Sequence, residues 1–133
     1  MAAFFFFSMA HEFGHWLAAE VTGAKGGKFG FRVLRKKSIP LLVPTMTLSN
    51  EAIASVSCTR RRIIFISGVA AEVVCMLSIW YFLPDFSLRD SIQNGVFFAL
   101  AFRLSICPLN LLPFSIGDAR SDGWRVIHPE SID

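Results

Sequence analysis

The chain has 133 residues, which is enough for one domain and too few for two. Hydrophobic residues make up 53% of it and charged residues only 17%, and a water-soluble domain of this size would need more charge on its surface. The composition therefore indicates a membrane protein for which lipid is part of the solvent. Three cysteines at scattered positions predict neither a disulfide framework nor a cysteine zinc site.

Three apolar stretches predict membrane-spanning helices, at about residues 2–21, 63–83 and 96–112. At 1.5 Å rise per residue each helix would be roughly 25–32 Å long, close to the thickness of the hydrocarbon core. The third stretch contains Cys107-Pro108, and proline inside a helix removes a hydrogen bond, so we expect a break there. The fold prediction is an α-helical membrane protein with three transmembrane helices in one domain.

The loop between the first two stretches, residues 23–62, is too long for a simple turn. Within it, "KFGFRVLRK" alternates in polarity, and "IPLLVPTMTLS" is a second extended candidate whose prolines confine it to a sheet edge. We expect a small β-hairpin or sheet at the cytoplasmic membrane surface. The alternative is an amphipathic surface loop with no sheet.

The distribution of basic residues predicts the topology. Nine of the 13 Lys and Arg residues lie between Gly23 and Arg62, where Glu51 is the only acid. A basic patch can bind nucleic acid, but between hydrophobic spans the positive-inside rule is the simpler explanation. We therefore predict a multi-pass protein, of the cell membrane if it is bacterial, with no nucleic-acid partner. Its N-terminus would be outside, with loop 23–62 and tail 113–133 cytoplasmic; the oligomeric state is not predicted.

Two opposite charges lie at the same predicted depth in the second and third stretches. Glu72 and Arg103 would each be roughly 14 Å from the cytoplasmic ends of their helices at helical rise. An unpaired charge in hydrocarbon is strongly unfavourable, so we predict that they form an ion pair. A catalytic role for Glu72, a water-lined cavity and a partner helix are the alternatives.

The first stretch contains His11-Glu12-Phe13-Gly14-His15. Residues i and i+4 share one helix face, so both imidazoles can bind one zinc ion, and Glu12 can reach a water on it. Zinc would lower the pKa of that water, and Glu12 would take its proton and later pass it to the leaving amine. The alternative is that the histidines only hydrogen-bond to neighbouring helices.

A catalytic zinc ion normally has three protein ligands, so one remains to be found. His128 has a suitable side chain, but it lies in the polar tail beside Pro129. Two acids, Asp118 and Asp122, follow the third stretch where it would emerge on the cytoplasmic side. Because His15 is predicted on that same side, these acids are the better candidates.

The motifs together resemble the site-2 protease family of intramembrane zinc metalloproteases. An HExxH in the first span is followed by "NLLP" at residues 110–113 and by "DG" at 122–123, and the resemblance covers nearly the whole chain. It implies that His11 and His15 are zinc ligands, that the Asp of the Asp-Gly pair is the third ligand, and that Glu12 is the general base. It also implies that Asn110 holds the substrate carbonyl or its oxyanion.

One departure from the family pattern concerns the third ligand. The usual spacing from the Asn falls on Asp118, which is followed by Ala119 and not by glycine. Asp122 precedes Gly123 and matches the pair itself, four residues later. We favour Asp122, with residues 117–121 as a small loop insertion and with glycine permitting a tight turn that brings the carboxylate inward. Asp118 stays as the alternative.

The sequence therefore predicts a zinc-dependent intramembrane endopeptidase whose partners are the lipid bilayer and membrane-anchored protein substrates. The alternative is a non-proteolytic zinc-binding membrane protein, such as a transporter or a metal sensor. A structural membrane subunit with a degenerate motif is a third possibility. Zinc is the only cofactor that the motifs indicate.

Overall fold

A computed structural model of the protein describes residues 2–36, 39–82, 90–116 and 119–130, and this part of the chain is mostly helical. Two pairs of strands accompany the helices, each forming an antiparallel two-stranded sheet. In chain order the elements are α1 (Ala2–Thr22), β1 (Lys28–Lys36), β2 (Ile39–Thr47), α2 (Asn50–Ala54), α3 (Cys58–Phe82), α4 (Asp90–Ile106), β3 (Ser115–Ile116), β4 (Ala119–Arg120) and α5 (Asp122–Ile127).

Two helical segments are long and apolar enough to cross a membrane, Cys58–Phe82 and Gln93–Leu111. In the second, α4 ends at Ile106 and a 3₁₀ turn over Cys107–Leu111 continues the chain, so the predicted break at the proline is confirmed. The first helix, predicted as another span, has 21 residues. It carries two histidines and two glutamates and is not one of these two segments of the described chain.

Helices α1 and α3 pack so closely that their backbones are in contact at Gly14. A Cβ placed on Gly14 would lie 2.5 Å from the carbonyl oxygen of Ser67 and 2.6 Å from Cβ of Ala71. In addition, the Ser67 hydroxyl donates a hydrogen bond to the Gly14 carbonyl oxygen, 3.0 Å away. Small residues allow such close helix contacts, which bring side chains of α1 within reach of the α3 backbone.

Three consecutive arginines near the start of α3, residues 60–62, donate hydrogen bonds to backbone carbonyl groups at or near the ends of other elements. The last carbonyl groups of a helix have no partner within it, and arginine N–H groups can satisfy them. The tail is thereby held against the start of α3, close to the end of α1. The bonds join Arg60 to the carbonyl of Thr22, Arg61 to those of Ala54, Val56 and Pro129, and Arg62 to that of Val126.

The predicted hairpin is present, and the alternative without a sheet is wrong. Its ladder runs without a bulge from Lys28 opposite Thr47 to Lys36 opposite Ile39. The hairpin lies along α1, because β2 contacts Glu12 and the ring of Phe31 stacks on Phe5 with centroids 5.9 Å apart. These two points are separated by roughly 10 Å of helix.

Candidate metal centre

Three side chains from two distant parts of the chain converge where α1, α3 and α5 meet. The Nε2 atom of His11 lies 3.1 Å from Nε2 of His15 and 3.0 Å from Oδ2 of Asp122. The third edge of this triangle, from His15 Nε2 to Asp122 Oδ2, is 3.5 Å. The structure thus brings together three of the predicted site residues in a group that could hold a metal ion.

The two histidines share one face of α1, as their four-residue spacing dictates. Their rings meet edge to face with centroids 4.7 Å apart, and both residues are buried, with 8% of their surface exposed. Burial of two imidazoles requires partners for their polar atoms. Helix α3 supplies those partners on the side away from Asp122.

His15 is oriented by a backbone carbonyl of α3. Its Nδ1 atom lies 2.7 Å from the carbonyl oxygen of Ile64. Because a carbonyl oxygen only accepts hydrogen bonds, Nδ1 carries the proton, and Nε2 is left with a lone pair that faces His11 and Asp122. Gly68, one turn further along α3, leaves space for the ring, since a Cβ at Gly68 would overlap the imidazole.

His11 is oriented by a carboxylate of α3. Its Nδ1 atom lies 3.3 Å from Oε2 of Glu72, which is fully buried, while Oε1 of Glu72 contacts Nη2 of Arg103. The predicted pairing of Glu72 with Arg103 is therefore confirmed. A carboxylate beside the outer nitrogen of a histidine favours the proton on that nitrogen, so that Nε2 is free to bind a cation.

Asp122 is positioned by the residues on either side of it. Ser121 caps α5: its hydroxyl accepts hydrogen bonds from Trp124 N and Phe114 N and donates one to the Leu112 carbonyl oxygen at 2.6 Å. Gly123 packs directly on Leu111, because a Cβ there would overlap the Leu111 backbone. The expectation that this glycine is needed for a tight turn is wrong, since it is part of a helix and is required for close packing.

The electrostatics of the triangle favour a positive charge at its centre. Two lone pairs and a carboxylate oxygen within 3.5 Å repel one another unless a proton or a metal ion lies between them. Burial alone would raise the pKa of Asp122, but hydrogen bonds and positive charge from the two imidazoles, when a proton lies in the triangle, lower that pKa below its usual range. The carboxylate is therefore ionised and available to a cation.

A cavity of about 360 Å³ opens beside the triangle. Glu12 lines it together with the three converging side chains, and its Oε2 accepts a hydrogen bond from Met46 N at 2.7 Å. Two arginines from the tail, Arg120 and Arg125, also line the cavity. The other lining residues are Met46, Thr47, Leu48, Asn50, Ile53, Ile64, Phe65 and Pro129.

The remaining predicted residues lie elsewhere. Asn110 is half-buried in the 3₁₀ turn and is not part of the cavity wall formed by the described residues. Asp118 lies outside the described residues. His128, the candidate set aside from the sequence, stacks on Trp124 with ring centroids 4.5 Å apart and is exposed.

Two residues that organise the site were not assigned to it from the sequence. Ser121 could have been found, because serine directly before a short helical segment is a typical N-cap. The contact between Glu72 and His11 has no sequence signal, since it depends on how α1 rotates against α3. The equal predicted depth of Glu72 and Arg103 in their helices indicates only that these two residues pair with each other.

The fold and the site define a mostly helical protein with two helices that could cross a membrane and a His-His-Asp group that could hold a metal ion. Comparison of the chain with protein-family models, with curated proteins and with solved structures finds no match.

Proposed function

We propose that the protein is a zinc-dependent intramembrane endopeptidase that cleaves membrane-anchored protein substrates. The observation that carries this proposal is the convergence of His11, His15 and Asp122 beside a cavity that Glu12 also lines. The resemblance of the HExxH, Asn-x-x-Pro and Asp-Gly motifs to the site-2 protease family supports it.

Zinc fits the donor set and its dimensions. Two imidazole nitrogens and a carboxylate oxygen are typical zinc ligands, and three of them leave a fourth position open. Ligands at 2.0–2.1 Å from a tetrahedral zinc ion would be about 3.3–3.4 Å apart. The edges of 3.0, 3.1 and 3.5 Å bracket that spacing.

The outer surface of the long helices supports placement in a bilayer. Large side chains on both helices are exposed, among them Val74, Tyr81 and Phe98 at 63%, 75% and 75%, and extensive exposed apolar surface marks contacts with lipid or protein. The ionisable side chains of α3 and α4 at this depth, Glu72 and Arg103, point inward and pair. In the proposed arrangement α1 is the third span, the N-terminus is outside, and loop 23–62 and tail 113–133 are cytoplasmic.

The hairpin within this loop would extend from the cytoplasmic side along α1 into the membrane, deeper than the surface position expected from the sequence. Backbone groups at such depth need partners. The Met46 N–H group points away from β1 and towards Glu12. Backbone groups of alternate residues in a strand point the same way, so those of Pro44, Leu42 and Pro40 also face this outer edge of β2. The two prolines carry no N–H group there, which leaves Leu42 N–H as the donor available to an added substrate strand.

The proposed chemistry assigns one role to the metal ion and the others to side chains. Bound zinc would supply Lewis acidity at the triangle. Glu12 would accept a proton from the attacking water and return it to the amine nitrogen of the broken peptide bond. The cavity would admit water and an unwound substrate segment. The role of Asn110 in holding the substrate carbonyl or its oxyanion stays a prediction.

The test uses a single-span reporter substrate with the purified protein in detergent or lipid. We expect Glu12→Gln to abolish cleavage while one zinc ion per chain stays bound, because Glu12 is not one of the converging ligands. Glu20→Gln is the matched control, since Glu20 is an exposed glutamate on the same helix. Cleavage by E12Q at the wild-type rate would reject the proposal, and zinc binding without cleavage by the wild type would favour a transporter or metal sensor.

A further inference from the structure

A continuous line of polar side chains runs from α4 through α3 to the metal-binding face of His11. Arg103 contacts one oxygen of Glu72, and the other oxygen lies 3.3 Å from Nδ1 of His11. On its opposite side, the same imidazole directs Nε2 to Asp122 at 3.0 Å. Glu72 is thus directly behind a candidate ligand and is separated from the cation position by one ring.

We propose that Glu72 is a positioning residue for the metal centre and that Arg103 holds it in place. The inference rests on the proposed function for the identity of the metal. The Glu72 carboxylate oxygen 3.3 Å from Nδ1 of His11 favours the proton on that nitrogen and leaves Nε2 to face the metal. The negative charge of Glu72 also makes Nε2 of His11 a stronger electron-pair donor to the metal. Because Arg103 of α4 holds Glu72 in place, α4 contributes to metal affinity without supplying a ligand.

The surroundings of the pair argue against a purely structural role. A buried ion pair stabilises a fold little better than well-packed hydrophobic residues of similar volume. Here the pair lies beside an apolar cluster, and Glu72 directs its second carboxylate oxygen out of the pair to His11. Five buried residues form the cluster, and each lies three or four positions along the chain from His11, Glu72 or Arg103. They are Phe7, Val69, Met76, Leu100 and Cys107.

The two histidines provide an internal comparison. His15 is held by the Ile64 carbonyl oxygen, which is a neutral acceptor, whereas His11 faces a carboxylate. Loss of the charge on Glu72 therefore acts on one ligand and leaves the other unchanged. We expect a fractional loss of metal affinity and not the complete loss that follows removal of a ligand.

The decisive variant is Glu72→Gln/Arg103→Gln, which removes both buried charges and leaves no unpaired one. Zinc affinity is measured by competition with a chromophoric chelator, with circular dichroism to verify the helical fold. We expect a loss of about 10- to 100-fold in affinity and a changed visible spectrum of the cobalt-substituted protein. Ser78→Ala is the control, because this exposed hydroxyl donates a hydrogen bond to the Val74 carbonyl oxygen of its own helix. A folded double variant with wild-type zinc affinity would overturn the inference.

A second measurement needs no substitution. In zinc-loaded wild-type protein labelled with ¹⁵N-histidine, we expect His11 to carry hydrogen on Nδ1 and zinc on Nε2. Zinc on Nδ1 would overturn the inference even if the double variant does not fold. Wild-type protein that binds no zinc at all would instead reject the proposed function, so the two failures are distinguishable.

Discussion

Gly68 lies directly against the imidazole of His15, so closely that a single methyl group on Gly68 would overlap the ring. The ring is held from its other end by the Ile64 carbonyl oxygen at 2.7 Å, so it has no room to turn away. Helix α3 therefore sets the direction in which His15 presents Nε2, although α3 supplies no ligand to the triangle.

Gly68→Ala should impair the candidate metal centre. The added methyl group forces the His15 ring or α3 to shift, which costs about 1–3 kcal/mol for overpacking of a well-packed site. We expect lower zinc affinity and lower thermal stability. Gly95→Ala is the control, because Gly95 lies in α4 with open space around it, and alanine there should raise Tm by favouring the helix by about 1 kcal/mol. Equal zinc affinity in both variants would contradict this explanation.

The two candidate acids can be separated by one pair of substitutions. Asp122→Asn should lower zinc affinity by more than about 100-fold, the upper end of the loss seen when a group that hydrogen-bonds to a metal ligand is removed. The reason is that a neutral amide replaces an ionised ligand that lies 3.0 Å from His11 Nε2. Asp118→Asn should leave zinc affinity unchanged. Equilibrium dialysis of both proteins against zinc provides the measurement, and the reverse order of the two effects would assign the site to Asp118.

Ser121→Ala should lower both stability and metal affinity. The hydroxyl caps α5 at Trp124 N and also bonds to the backbone on either side of Pro113, so its loss should cost about 1–2 kcal/mol and release Asp122. Ser49→Ala is matched to it, since Ser49 caps α2 through Ala52 N. We expect comparable thermal destabilisation from both, with zinc affinity reduced only in S121A. A reduced affinity in S49A would show that the effect is general unfolding.

Leu42→Pro tests the role proposed for the outer edge of β2. Proline removes the N–H group that points to that edge and leaves the ladder to β1 intact, because residue 42 directs its backbone away from β1. We expect reporter cleavage to fall about tenfold, the equivalent of one lost hydrogen bond of roughly 1–1.5 kcal/mol. Zinc affinity should not change. Leu42→Ala keeps the N–H group and should cleave normally, and equal cleavage by L42P and L42A would reject strand addition at this edge.

Much of the local structure was predictable because it depends on residues close together in the chain. Helical spacing alone placed His11 and His15 on one face, proline at 108 ended α4, and alternating polarity with edge prolines identified the hairpin. The depth of two charges predicted the pairing of Glu72 with Arg103, since antiparallel helices of known rise bring equal depths together.

What the sequence by itself determined is therefore the long helices, the hairpin and the motif that places two histidines and a glutamate on one helix. Only the tertiary structure decided which distant groups meet them: Asp122 in the triangle, Glu72 behind His11, and the hairpin along α1. Those contacts join residues far apart in the chain. Their distances depend on how α3 rotates and approaches α1, which is set by the absence of side chains at Gly14 and Gly68 and not by any local pattern.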